Sequence, residues 1–232
     1  VLGCLGRDPG SSAVMSAAGL GATSGAPIER VAAFDVDGTL TTRDCVVPFL
    51  RRMAGTGALA ARMLRHPVGL ARAGAGLDRD ALKAVSAAAA FSGAPVDDVQ
   101  PVADAFAADV HASWLRADVL AEFERHLRAG DTVVLVSASF EVYLEPLAER
   151  LGANDVLATR LEIDHTGCYS GRLVGTNCRG PEKVRRLHRW LDEHAGGRPS
   201  VHVTAYGDSR GDRELLADAD EARWVGRGGM PR

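Results

Sequence analysis

The stretch RVAAFDVDGTLTTRD, residues 30–44, runs a set of apolar β-formers straight into two carboxylates, Asp35 and Asp37, one residue apart. Side chains on one face of a strand recur every second residue, so if the strand persists the two acids point the same way and repel each other. A cation, a shared proton or plain exposure to water would each relieve that repulsion. Asp-Gly after such a run is, taken alone, an ordinary turn signal.

The same design recurs along the chain. DTVVLVSAS at 131–139 and RPSVHVTAYGDS at 198–209 repeat it, and ARWVGR at 222–227 is a weaker copy. These runs read as fully buried strands and not as alternating ones, which suits a parallel sheet covered on both faces. Between them Leu115, Val119, Phe123 and Leu127 recur every four residues, as do Tyr143, Leu147 and Leu151, while Val184, Leu187 and Leu191 follow the three-to-four spacing of a helix face. Strands alternating with such helices predict an α/β, doubly wound fold with a parallel sheet. Residues 44–112 interrupt the alternation with Ala-rich and Leu-rich segments, breaks at Gly55, Gly57 and Gly69, and no strand-like run. The expected organisation is therefore a disordered tail over 1–27, a catalytic core over 28–43 and 113–232, and a helical cap over 44–112, inserted after the first strand. TRLEIDHTGCYSGRLVG at 159–175 alternates about His-Thr-Gly and predicts a β-hairpin.

Bulk properties narrow the function. The 232 residues are 46% hydrophobic and 25% charged, an ordinary globular composition with length for a sizeable core. A net charge of −3 leaves no general footprint for nucleic acid. Cys4, Cys45, Cys168 and Cys178 form no C-x-x-C pair, so they read as reduced thiols. The first 27 residues lack a basic head followed by an apolar run, and no window is long and apolar enough to span a membrane. A cytoplasmic location is expected.

In open parallel sheets ligands bind beyond the carboxyl ends of the strands, and the conspicuous polar groups fall there. Asp35 and Asp37 close the first strand, Ser137 the second, and Asp208 with Asp212 the third, in YGDSRGDREL. Lys183 opens a helix after Gly180 and Pro181, within reach of the same crevice. A hard cation such as Mg²⁺ would neutralise this acid cluster, whereas zinc would want His or Cys ligands that these loops lack. Each residue has a plainer reading: Asp208 as a helix cap, Ser137 as a hydroxyl bonded to backbone, Lys183 as a solvated helix residue. The seven histidines show no ligand spacing. The constellation as a whole favours chemistry.

FDVDGTL matches a D-x-D-x-T motif, and VSAS, Lys183 and GDSRGD follow it in order. Over residues 30–226 the chain thereby resembles the haloacid dehalogenase-like (HAD) phosphohydrolase superfamily, and within it the phosphoserine-phosphatase-like subfamily IB, which has a hairpin before its lysine. The resemblance implies a Rossmann-like core with an inserted cap, and a Mg²⁺-dependent phosphatase acting on a small phosphorylated substrate. It implies Asp35 as nucleophile, forming an aspartyl-phosphate, and Asp37 as general acid and then base. Mg²⁺ would bind Asp35, the Asp37 carbonyl and Asp208, with Asp212 holding a metal water or orienting Lys183. Ser137, the neighbouring Ala138 and Lys183 would grip the phosphoryl group, and Thr39 would order the loop and support Asp35. Asp44 stands where the branch places an acid that recognises the substrate's ammonium.

Departures bear on substrate and on rival functions. VSAS differs from the Val-Ser-Gly-Gly form, Gly211 replaces an asparagine, and no arginine lies between Arg79 and Arg116, where Lys83 is the only strong cation. These count against serine phosphate. Dehalogenases of the superfamily lack the second aspartate, so Asp37 argues for phosphate chemistry; phosphomutases keep it, and a catalytically dead sensor of phosphorylated ligands is the rival from another class. Residues 45–77 hold Arg51, Arg52, Arg62, Arg65 and Arg72 and no acid. Solvated arginines over a packed apolar stripe are the favoured reading, with peripheral contact to anionic membrane or a lipid phosphate as the alternative.

Overall fold

The computed structural model of the chain describes residues 29–65 and 79–228. The expected tail, along with Gly69 and Arg72, lies outside them. At the centre is β1 (Arg30–Phe34), paired in parallel with β2 (Thr132–Phe140) on one side and β6 (His202–Gly207) on the other. Beyond β2 lies β3 (Asp155–Thr159) and beyond β6 lies β7 (Glu221–Trp224), giving one five-stranded sheet of order β3-β2-β1-β6-β7, parallel throughout. The chain first winds outward from β1 to β3 and then returns to the other side of β1. The reversal leaves a crevice beyond the carboxyl ends of β1 and β6.

Why the strands read as unbroken apolar runs follows from the packing. Ala32 and Phe34 of β1 face one apolar cluster, Val31 and Ala33 the other, and Val133 and Leu135 of β2 are divided from Val134 and Val136 in the same way. Helices α5 (Ala117–Ala129) and α6 (Glu141–Leu151) supply Phe123 and Leu147 to the first cluster. On the opposite face, α7 (Pro181–His194) and α8 (Arg213–Asp218) supply Leu187, Leu191 and Leu215. The sequence predicts four strands for this sheet, and β3 is the one it misses. DVLAT is only five residues long and runs almost directly into the hairpin, so no turn residue sets it off. The hairpin itself stands as expected, with β4 (Leu161–Ile163) antiparallel to β5 (Tyr169–Leu173).

Between β1 and α5 the described residues form four helices: α1 (Val46–Ala54), α2 (Thr56–Met63), α3 (Arg79–Phe91) and α4 (Val96–Ser113). Phe49, Phe91 and Phe106 of this insertion belong to the same apolar cluster as α6, and the Tyr143 ring sits 4.6 Å from Phe49 and 5.2 Å from Phe106. Aromatic packing of this kind holds the insertion against the core beside the crevice. Its arginines are not all free: Arg52 pairs with Asp109 at 2.5 Å and Arg62 donates to the Ala89 carbonyl. Among the described residues no helix is long and apolar enough to cross a membrane.

Leu135 is fully buried in β2, so Leu135→Ala should cost about 2–5 kcal/mol in chemical denaturation. Leu64→Ala, at a residue 73% exposed, should stay within about 0.5 kcal/mol of the parent.

Candidate active site

The last ladder bond of β1 runs from the Asp35 N–H to the Tyr206 carbonyl, at 3.0 Å. The chain then folds into one wide helical turn, Val36–Leu40, closed by the Thr41 N–H on the Val36 carbonyl. Asp37 and Gly38 leave helical geometry inside it, Gly38 at φ +84°. A Cβ at Gly38 would stand 2.4 Å from a carboxylate oxygen of Asp208, so glycine is needed for the backbone and for that close approach. Arg116 donates to the Gly38 carbonyl and to that of Val225, pinning the turn from outside.

This turn corrects the expectation that Asp35 and Asp37 share a face. The strand stops at Phe34, and the two carboxylates go to different partners. Asp35 Oδ2 accepts the Thr39 hydroxyl at 2.9 Å and Oδ1 accepts the Lys183 ammonium at 2.6 Å. Asp37 Oδ1 accepts the Cys45 N–H at 2.8 Å and Oδ2 accepts the Ser139 hydroxyl. These donors offset their repulsion, part of which remains and raises Asp35. Instead, Asp35 converges with Asp208 and Asp212: one oxygen from each lies within 4.8 Å of the others. Thr39 also reaches Asp208 Oδ1, at 3.2 Å.

Lys183 is placed by the start of α7, where Pro181 fits the first helical position. Its fully buried ammonium donates to Asp35 and Asp212, 2.6 Å from each. The second oxygen of Asp212 accepts the Ser209 N–H and hydroxyl at 3.0 and 2.8 Å. Three carboxylates thus surround one ammonium, and the pKa shifts reflect the imbalance. Burial pushes Asp35 up to about 7, with Lys183 pulling down and Asp212 pushing up. Burial and then Asp212 raise Asp208. Burial opposes the charges on Asp212 and Lys183, but their mutual attraction, with Asp35 acting on Lys183 as well, outweighs it; Asp212 is lowered and Lys183 raised. Burial, then the Asp44 charge, raises Asp37 against its two hydrogen bonds. Such a pocket has room in its charge balance for a cation, and its all-oxygen donor set suits a hard one.

The remaining expected residues divide. Ser137 does not close β2 as expected but is buried within it, since the strand runs on to Phe140; it accepts the Ser139 N–H at 3.1 Å, and Ala138 follows it with its carbonyl taken by Thr159 and Lys83. Asp44 is exposed and accepts the Val47 N–H at 3.0 Å, capping the first turn of α1; it acts on Asp37 through space. Sequence reasoning missed Ser139, the Cys45 N–H and Arg116. Ser139 was findable, two residues from Ser137 on the same strand; the Cys45 N–H is a backbone donor and the Arg116 guanidinium bonds backbone carbonyls, and no motif marks either.

Lys183→Met should cost about 3–5 kcal/mol in denaturation, because it strands buried carboxylates. Combined with Asp212→Asn it should cost clearly less than the sum of the single changes, since the two groups share one interaction. Strict additivity would contradict the pairing.

Comparison with known proteins agrees with the geometry. A haloacid dehalogenase-like hydrolase family model matches residues 32–217. Protein CicA of Caulobacter vibrioides is 38% identical over 190 residues, 82% of each chain. A histidinol-phosphatase of Neisseria meningitidis is 32% identical over 94 residues, covering 40% of this chain and 42% of its own. A Bordetella pertussis protein of unknown function superposes with a TM-score of 0.69 at 28% identity, over 82% of this chain and 86% of that one. Substrate-bound phosphoserine phosphatase superposes with a TM-score of 0.53 at 16% identity, over 82% and 83%, a likeness of fold. By its strand order, its motifs and the extent of these matches, the chain belongs to the haloacid dehalogenase-like hydrolases.

Proposed function

We propose that the protein is a cytoplasmic phosphatase that hydrolyses a small phosphomonoester through an aspartyl-phosphate on Asp35. One observation carries the reading: the Asp35 carboxylate is held by Thr39 and Lys183 at the mouth of the crevice, with a second carboxyl, Asp37, oriented independently beside it. Dehalogenation needs only the nucleophile. A second carboxyl with a raised pKa supplies the acid that an alkoxide leaving group requires.

Asp35 attacks phosphorus, its new O–P bond forming as the bond to the leaving oxygen breaks. Asp37 gives its proton to that oxygen. The Ser137 hydroxyl and the Lys183 ammonium hold the phosphoryl oxygens as charge shifts between them. Asp37, now a carboxylate, takes a proton from water as the water attacks phosphorus, which releases phosphate and restores Asp35. Oxygens of Asp35, Asp208 and Asp212 would hold Mg²⁺, to which the family resemblance adds the Asp37 carbonyl; when bound, the ion would offset the charge of a phosphate dianion among these acids. The histidinol-phosphatase likeness supports phosphate ester hydrolysis, and the absence of an arginine between Arg79 and Arg116 counts against serine phosphate as the native substrate.

Release of phosphate from p-nitrophenyl phosphate should require Mg²⁺, vanish with EDTA and vanish in Asp35→Asn. Full activity after exhaustive chelation would refute the metal, and no turnover by the folded protein would favour a phospho-ligand sensor. Asp37→Asn should slow alkyl phosphate turnover by roughly 10²–10⁴-fold and nitrophenyl phosphate much less, because nitrophenolate leaves without a proton. Equal losses on both would remove Asp37 from the acid role.

A further inference from the structure

The two oxygens of Asp37 have unlike partners. Oδ1 accepts the Cys45 N–H at 2.8 Å, and a backbone N–H can only donate, so that bond suits the carboxylate. Oδ2 accepts the Ser139 hydroxyl, a group that can donate or accept. Ser139 is one of the two residues by which VSAS departs from the Val-Ser-Gly-Gly form. It is fully buried, and its N–H bonds the Ser137 hydroxyl oxygen at 3.1 Å, which fixes the backbone from which its own hydroxyl reaches Asp37.

A second buried hydroxyl lies beside this pair. Tyr143, in the first turn of α6, packs its ring on Phe49 and Phe106, and its hydroxyl completes no hydrogen bond among the described residues. The phenol is nevertheless close enough to Asp37 and Ser139 to feel both: burial and then the Asp37 charge push it up, and the Ser139 hydroxyl opposes them. Leaving a buried hydroxyl without a partner costs about 1–3 kcal/mol. The proton transfers of the proposed mechanism give that cost a use. When Asp37 carries its proton and Ser139 accepts it, the proton of the Ser139 hydroxyl needs another acceptor, and the Tyr143 oxygen is at hand. When Asp37 has given its proton to the leaving oxygen, Ser139 turns back and donates to the carboxylate. Each hydroxyl keeps its own proton throughout, so the only proton transferred is that of Asp37.

We infer that Ser139 and Tyr143 are positioning residues for Asp37, their hydroxyls rotating together so that the Asp37 carboxyl stays held both when it carries the proton and when it has given it up. The inference rests on the phosphatase reading. Neither residue touches the phosphoryl group; both act through Asp37. Their effect is therefore confined to substrates whose leaving oxygen needs a proton.

The test measures kcat/KM for p-nitrophenyl, phenyl and ethyl phosphate, whose leaving groups need a proton increasingly. Ser139→Ala should lower the value for ethyl phosphate by about 10- to 100-fold, the usual worth of a hydrogen bond to a charged group, and that for p-nitrophenyl phosphate much less. Tyr143→Phe keeps the packed ring and should cost about 2- to 10-fold on ethyl phosphate, as for a neutral hydrogen bond, with the same ordering of the three esters. In an Asp37→Asn background, adding Ser139→Ala should change ethyl phosphate turnover by no more than about 2-fold, because the group it positions is gone. Equal losses on all three esters, no loss at all, or an undiminished loss in the Asp37→Asn background would overturn the inference, since a merely structural role predicts one of these. So would a parent that turns over p-nitrophenyl phosphate alone, which would have no acid to position. No turnover of any ester by the parent would sink the phosphatase reading with it.

Discussion

The buried ammonium of Lys183 is the interaction on which the rest of the site depends. It joins the end of β1, through Asp35, to the loop after β6, through Asp212, at 2.6 Å from each carboxylate. Without it, two buried acids at neighbouring strand ends would face each other and Asp208 with no ion-pair partner among the described residues. With it, the pocket stays negative enough for a hard cation and still holds Asp35 in one orientation. The sheet order makes this possible, because β1 and β6 are adjacent although more than 160 residues apart in sequence, as the Arg30–His202 pairing shows.

Much of the fold is legible in the sequence because the sheet is covered on both faces. VAAF and VVLV are apolar without alternation since each successive side chain meets one of two cores, whereas in β6 His202 and Thr204 interrupt the apolar residues Val203, Ala205 and Tyr206. The strand Asp155–Thr159 escapes detection for the opposite reason. It lies at the sheet edge and is only partly buried, and no Gly or Pro separates it from the hairpin.

The site is legible in its residue types and less so in its geometry. Asp35 and Asp37 follow β1, Asp208 and Asp212 follow β6, Lys183 stands in the first turn of α7, and Ser137 lies within β2. The period of a strand, however, cannot foresee that Gly38 takes a positive φ and turns Asp37 away toward Cys45 and Ser139. Asp44, which by likeness of position stands where an acid that recognises substrate is expected, is exposed and accepts the Val47 N–H at the start of α1. Lys83 is visible in the sequence as an isolated cation, but its burial and its contact with Ala138 depend on how α3 docks against a strand more than 50 residues away, which no local pattern records.

Asp35 as the phosphoryl acceptor is tested most directly by acid-quenching Asp37→Asn protein during turnover of p-nitrophenyl phosphate with Mg²⁺ and mapping its peptides by mass. Nitrophenolate leaves without an acid, while loss of Asp37 removes the base for the second step, so the intermediate should accumulate. A phosphoryl group on the peptide containing Asp35, absent when Asp35→Asn is added, is the expected result. Phosphate release with Asp35 never modified, or a phosphoryl group on another residue, would contradict it.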